Sequence, residues 1–175
     1  MNAGKIALAV LASLGLFAHA ASAADKAADK RQIDRGRYLA IVGGCNDCHT
    51  PHYMEKDGKI PESEWLTGSS MGFQGPWGTT YPANLRLIAQ NMNEAQWIAR
   101  ARAPMRPPMP WFNLAKMTDA DLRALHAYLR SLGPKGELAP APVQAGVPVK
   151  TPYISFVPVF PQGQAQGQPA SQTKR

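Results

Sequence analysis

The chain spends both of its cysteines in one turn, Gly43-Gly44-Cys45-Asn46-Asp47-Cys48-His49, so Cys45 and Cys48 stand three apart with His49 directly after. Three reactive side chains within five residues must meet their partner on one side of the backbone, and the rest of the fold has to accommodate that partner. Three chemistries use such a cluster. A disulfide across two intervening residues closes a very small loop and stabilises little, so it makes sense only as a redox-active pair. Such pairs follow a strand in a βαβ unit, and no strand pattern precedes Cys45. A zinc site would require His49 to turn back to the ion held by its neighbour Cys48, and no second Cys or His pair stands at finger spacing. The third chemistry asks for what is present. Each thiol adds across one vinyl group of a haem, giving two thioethers on one porphyrin edge, and His49 is then held beneath the iron as an axial ligand. Covalent attachment keeps a cofactor in a small exported protein without a deep pocket.

Export is the expectation from the N-terminus. Lys5, the apolar run over 6–17 and Ala18-His19-Ala20-Ala21-Ser22-Ala23, followed by Ala24-Asp25-Lys26, form the basic, apolar and small-residue regions of a secretory signal peptide over 1–23, cut after Ala23. The alternative, an uncleaved anchor, needs about 20 apolar residues, more than this run provides. About 150 residues then remain, the size of one domain with an extension. Net charge is +7, and +6 once Lys5 leaves with the signal. That excess favours docking onto an acidic patch of a redox partner protein. Nucleic acid is not expected as a partner, because the basic residues are scattered and lack interleaved aromatics. Membrane association is expected only through a partner or an uncleaved signal.

Residues 24–32 read as a flexible lead-in, 33–134 as the folded domain and 135–175 as a proline-rich tail, largely irregular or disordered. Ile33, Tyr38, Leu39, Ile41 and Val42 suit a short helix that ends at Gly43-Gly44 and delivers the chain into Cys45. Residues 50–92 are rich in Gly, Pro, Ser and Thr and read as mostly loop, including Gly75-Pro76-Trp77-Gly78; a large apolar cofactor would organise so long a loop. Asn93 caps a helix through about Arg102, with Trp97 and Ile98 on its buried side. Thr118-Asp119-Ala120-Asp121 supplies an N-cap and acidic first-turn charge. Behind it Leu122, Leu125, Tyr128, Leu129 and Leu132 fall within about 120° of helical arc, a core stripe that stops at Gly133-Pro134 and whose expected partner is the first helix. In the tail, Tyr153 to Phe160 form one apolar island, suited to lie against the folded domain or to engage a partner, and 162–175 have the composition of disorder.

The second axial ligand decides between carrier and catalyst. Met54 lies too near His49 in sequence to reach the opposite face, and Met117 precedes the last helix and packs there. Met109 stands in Arg106-Pro107-Pro108-Met109-Pro110-Trp111-Phe112, where three prolines hold the chain extended and present the thioether from a stiff loop. Met105, four residues earlier, is its rival. His52 is expected in solvent and His126 at the margin of the core stripe.

The stretches RGRYLAIVGGCNDCHTP, GPWGTTYPANL and RPPMPWFNLAKMTDADLRALHAYLRSLGP together resemble the single-haem, class I cytochrome c domains of bacterial periplasmic electron carriers, in particular those that accompany periplasmic dehydrogenases. The resemblance covers residues 33–134, about three fifths of the chain. It implies an all-α cytochrome c fold, a few helices around one covalent haem c, with the first and last helices crossing near the haem edge. It implies thioethers at Cys45 and Cys48, axial His49 and Met109, and haem-lining roles for Tyr81, Asn84, Leu85 and Trp111. YPANL resembles the family's loop on the proximal side, from which a backbone carbonyl takes the second ring proton of His49. The implied work is one-electron transfer, as a free carrier or as the fixed cytochrome subunit of a dehydrogenase. A haem enzyme or gas sensor with an open or labile sixth site is the alternative. The chain departs from the family in its proline-rich tail, and from many dehydrogenase subunits in having one attachment motif.

Overall fold

A computed structural model describes residues 26–160; the expected signal over 1–23 and the expected disorder over 162–175 lie outside the described residues. The order of elements is α1 (helical over 26–42), α2 (Cys45–His49), a 3₁₀ turn (Glu62–Glu64), β1 (Gly72–Gly75), β2 (Gly78–Thr80), α3 (Leu85–Gln90), α4 (Glu94–Arg102), α5 (Trp111–Leu114), α6 (Asp119–Ser131) and β3 (Tyr153–Ser155).

Helix α1 begins well before Ile33, which corrects the flexible lead-in for residues 26–32. Ala, Lys, Asp, Arg and Gln extend a helix at small cost once it is nucleated downstream. Lys30 also pairs with Asp34 one turn on, at 2.6 Å. The helix ends at Gly43-Gly44, where Gly44 takes φ 66°, a left-handed conformation that glycine accepts without a Cβ clash.

Helix α6 follows its sequence pattern. The Thr118 hydroxyl accepts the Asp121 N–H, while the Asp121 carboxylate turns to Arg35 of α1 at 2.9 Å. Leu122, Leu125, Tyr128 and Leu129 are buried, and the chain leaves at Gly133 with φ 69°. The expected pairing with the first helix is a backbone-to-backbone contact. A methyl group on Gly36 would stand 2.0 Å from the Ala124 carbonyl oxygen and 2.7 Å from Tyr128 Cβ. Beside this crossing the Tyr128 hydroxyl donates to Glu62 at 2.9 Å, and Arg37 pairs with the same carboxylate at 2.9 Å.

Helices α3 and α4 also pack on α6, and α5 packs on α4. Asn93 and Gln96 form a capping box at the start of α4. Trp97 is buried as expected, donates its indole N–H to the Leu122 carbonyl at 2.9 Å and stacks on His126; Ile98 is half-buried. The core joins Leu39 and Ala40 of α1, Trp65 and Leu66, Ala89, Trp97, Ala101 and the α6 stripe.

Residues 50–92 hold more regular structure than the loop expected there. Beyond α3, Gly75-Pro76-Trp77-Gly78 turns a hairpin in which Phe73 faces Thr80 and Gln74 faces Thr79. β3, from the apolar island of the tail, adds to β1 in parallel, giving the order β2-β1-β3. The fold is helix-dominated as expected, with this small sheet added to the all-α picture. Its strands are too short to show a period, and the third reaches its partner only across a long sequence separation.

The α1–α6 packing sets the cost of changes at its glycines. Gly36→Ala gains about 1 kcal/mol of helix propensity, yet forces a methyl group onto a backbone carbonyl, and is expected to cost about 3 kcal/mol net in denaturant unfolding. Gly133→Ala meets open space and is expected to cost about 1 kcal/mol through its positive φ alone. Burial, then the bond to Glu62, raises the Tyr128 pKa above the ordinary tyrosine value. A group whose folded pKa is raised contributes stability that is complete below the unfolded value of about 10 and is lost as pH rises beyond it. Unfolding curves across alkaline pH should therefore fall more steeply for the wild type than for Tyr128→Phe.

Candidate functional site

Cys45, Cys48 and His49 all lie on α2, and at about 100° per residue they share about 100° of its surface. The adjoining inner face carries Asn46 and Thr50, both buried. The Thr50 hydroxyl donates to Asn46 Oδ1 at 2.7 Å and accepts the Leu66 N–H at 2.8 Å. Asn46 Nδ2 is buried with no hydrogen-bond partner among the described residues. A single turn of helix is thus anchored from behind, which its five residues alone would not achieve.

Burial pushes the Cys45 thiol up to about 11, and the Asp47 carboxylate adds to the shift. The same two causes, in the same order, raise Cys48. Both groups are therefore neutral thiols at neutral pH, the opposite of the lowered pKa that a redox-active C-x-x-C pair requires.

His49 is buried, and its Nδ1 lies 2.7 Å from the carbonyl oxygen of Ala83. A carbonyl can only accept, so Nδ1 carries the proton and the Nε2 lone pair is left to bind a metal. Burial lowers the His49 pKa, against a smaller opposing effect of that hydrogen bond, so the ring is held neutral, as a ligand must be. The carbonyl is itself held in place. Leu85 N–H donates to Leu66 O at 3.0 Å, Ser69 N–H to Pro82 O at 3.0 Å, and Gly68 N–H to His49 O at 2.8 Å.

The loop of Met109 is tied to the hairpin by the Thr80 hydroxyl, which donates to the Pro107 carbonyl at 2.6 Å. Trp111 N–H closes a turn on the Met109 carbonyl at 2.8 Å. Arg102 braces the far side, donating to the Ala115 carbonyl and pairing with Asp119. Met109 and Met105 are both half-buried. Met54 is exposed, and Met117 packs against the core near Gly43. His52 is exposed and pairs with Glu55 at 2.6 Å. His126 is buried rather than marginal, its Nε2 lying 3.0 Å from the Met92 carbonyl.

Of the expected lining residues, Tyr81, Leu85 and Trp111 are half-buried. Asn84 is buried and occupied elsewhere: its Oδ1 caps α3 through Leu87 N–H, and its Nδ2 donates to the carbonyls of Lys135 and Glu137. Sequence reasoning passed over Thr50, Thr80 and Arg86. The last is a buried arginine whose guanidinium holds the carbonyls of Leu132 and Gly133 at the end of α6 and that of Ser63 at 2.8 Å. A lone arginine within Asn84-Leu85-Arg86-Leu87 carries no sequence signal of that role.

Two neutral thiols beside an imidazole with a fixed tautomer are the donor set that a covalent haem needs, so the residues present fit that group. A family model described as cytochrome c matches residues 33–133. One of the subunits of nicotinate dehydrogenase from Pseudomonas putida is 28% identical over 62% of this chain and 9% of that protein. The cytochrome c subunit of a quinone alcohol dehydrogenase from Gluconacetobacter polyoxogenes is 27% identical over 67% of this chain and 25% of its own length. The fructose dehydrogenase cytochrome subunit of Gluconobacter japonicus is 27% identical over 69% of this chain and 25% of its own. The chain thus spans a quarter or less of these relatives. No solved structure matches it.

Thr50→Val should leave Leu66 N–H and Asn46 Oδ1 buried without partners, at a cost of about 2 kcal/mol in holoprotein unfolding. Intact-mass measurement should still find the haem attached, because both thiols remain.

Proposed function

This chain belongs to the cytochrome c family, carries covalent haem c and transfers electrons, and we propose that it works in the periplasm as a one-electron relay between a dehydrogenase and a respiratory acceptor. In this reading Cys45 and Cys48 form the thioethers, and His49 and Met109 are the axial ligands. When bound, the haem supplies the ferric–ferrous couple. His49 presents Nε2 because the Ala83 carbonyl holds the proton on Nδ1, and that hydrogen bond is the observation that carries the reading. Met109 offers a thioether from a loop anchored at Thr80, and a soft ligand favours the ferrous state relative to a second histidine. Tyr81, Leu85 and Trp111 exclude water from the haem faces.

The dehydrogenase as electron donor is supported by the names of the relatives, two of which are cytochrome subunits of dehydrogenases. A formal charge of +7, or +6 without the Lys5 of the expected signal, suits transient docking to an acidic patch on a donor or acceptor, where steering raises the encounter rate more than the affinity. Among the described residues no helix is long and apolar enough to cross a membrane, and membrane association would come through a partner or an uncleaved signal.

The expected outcome in optical spectra is a weak ferric sulfur-to-iron band near the red end for the wild type, lost in Met109→Ala. Survival of the band in that variant would transfer the ligand role to Met105. Absence of the band in the wild type, with rapid carbon monoxide binding to the reduced protein, would favour a haem enzyme or gas sensor instead.

A further inference from the structure

Residues 135–156 follow the last helix and contribute nothing to the attachment motif, yet they are fastened along their length to one part of the domain. The carbonyls of Lys135 and Glu137 accept from Asn84 Nδ2 at 2.7 and 3.1 Å. Val143 exchanges both backbone hydrogen bonds with Thr79, at 2.8 and 2.9 Å, on the outer edge of β2. Thr151 Oγ1 meets the Tyr81 hydroxyl at 2.7 Å. The Pro152 carbonyl takes the Gly72 N–H at 2.8 Å, β3 pairs with β1, and Phe156 N–H continues to the Gln74 carbonyl at 2.7 Å. The Phe156 ring then packs against Phe73 and Trp77, with centroids 5.7 and 6.0 Å apart. One continuous segment thus holds the hairpin by both edges. The approach is close enough that a Cβ on Gly78, at φ 96°, would lie 2.2 Å from the Val143 carbonyl oxygen.

The part of the domain gripped in this way reaches both axial sides. Thr79 and Thr80 end β2; Thr80 holds the Pro107 carbonyl, two residues before Met109, and Ala83 holds the Nδ1 proton of His49. A hairpin with strands of four and three residues is not stable alone, and needs a third strand or packing to persist. Here the third strand and the opposite edge bridge both come from the tail. We propose that residues 135–156 are a strap that positions the two axial-ligand loops: by clamping 79–84 they hold the carbonyl that orients His49 and the loop that presents Met109. The Met109 half of this inference rests on the ligand assignment proposed above; the clamping itself does not.

The test uses holoprotein of the full chain carrying Val143→Pro with Thr151→Val, which removes the Val143 N–H and the hydroxyl that meets Tyr81. A second protein ends after Glu137, keeping the Asn84 contacts. Amide exchange is followed at Ser69, Leu85, Met109 and Trp111, whose hydrogen bonds involve no tail atom, with Leu125 and Leu129 in α6 as internal references. The expected result is exchange about tenfold faster or more at the four loop amides with the α6 amides unchanged, and loss of the red ferric band at lower pH than in the wild type. Unchanged loop exchange in the double variant would overturn the strap, and so would acceleration at loops and α6 alike, which would indicate general destabilisation. If the shortened protein does not attach haem, the double variant decides the matter. Met109→Ala, run alongside, separates the two readings. If it leaves the band in place, the ligand assignment fails, and the exchange rates alone then support or overturn the strap.

Discussion

The backbone of α1 lies directly on the backbone of α6 at Gly36, and the position of the attachment turn follows from that contact. Two helices approach this closely only where a side chain is missing, and here the crossing is flanked by charge-assisted contacts, Arg35 with Asp121 and Arg37 with Glu62. Six residues beyond the crossing α1 ends, and Gly43-Gly44 swings the chain into α2. The same helix α6 receives α3 and α4 and places Trp97 and Ala89 in one core with Leu39 and Ala40. A shift at Gly36 would therefore move Cys45, Cys48 and His49 relative to the loops that complete the site.

Around α2 the electrostatics favour neutral groups. Burial and Asp47 keep both thiols protonated, and burial keeps His49 uncharged. Such a turn is poorly suited to thiol exchange and well suited to becoming a covalent mount with a nitrogen ligand beside it. An electron-transfer centre also benefits when its ligands keep their positions through the redox change. Here His49 is braced by the Ala83 carbonyl, and the loop of Met109 by the Thr80 hydroxyl and by its own Trp111 N–H.

The tail shows how a proline-rich sequence becomes ordered without forming a core of its own. Its prolines restrict the unfolded chain and so lower the entropy lost on docking. Pro152 stands where no donor is needed and contributes only its carbonyl, to Gly72 N–H. Order comes from the ladder bonds of Val143 and of Tyr153–Ser155 and from the Phe156 ring between Phe73 and Trp77. Among the described residues the tail stays largely irregular, with these few positions ordered against the domain, while Val157 and Val159 stay exposed.

Features that depend on neighbours in sequence were legible from the residues: the attachment motif, the caps at Asn93 and Thr118, the α6 stripe and the glycine stops at Gly44 and Gly133. Their physics is local, since covalent spacing, first-turn hydrogen bonds and helical period act over a few residues. The start of α1 was not legible, because weakly helical residues adopt the state of the helix that continues them. Tertiary structure alone decided that Gly36 meets Ala124, that Val143 meets Thr79, that Asn84 is occupied by the carbonyls of Lys135 and Glu137, and which carbonyl of the 81–85 loop meets His49, that of Ala83, 34 residues away. In these contacts at least one partner is a backbone group. Every residue carries the same backbone, so no side chain marks which of them folding will bring into reach.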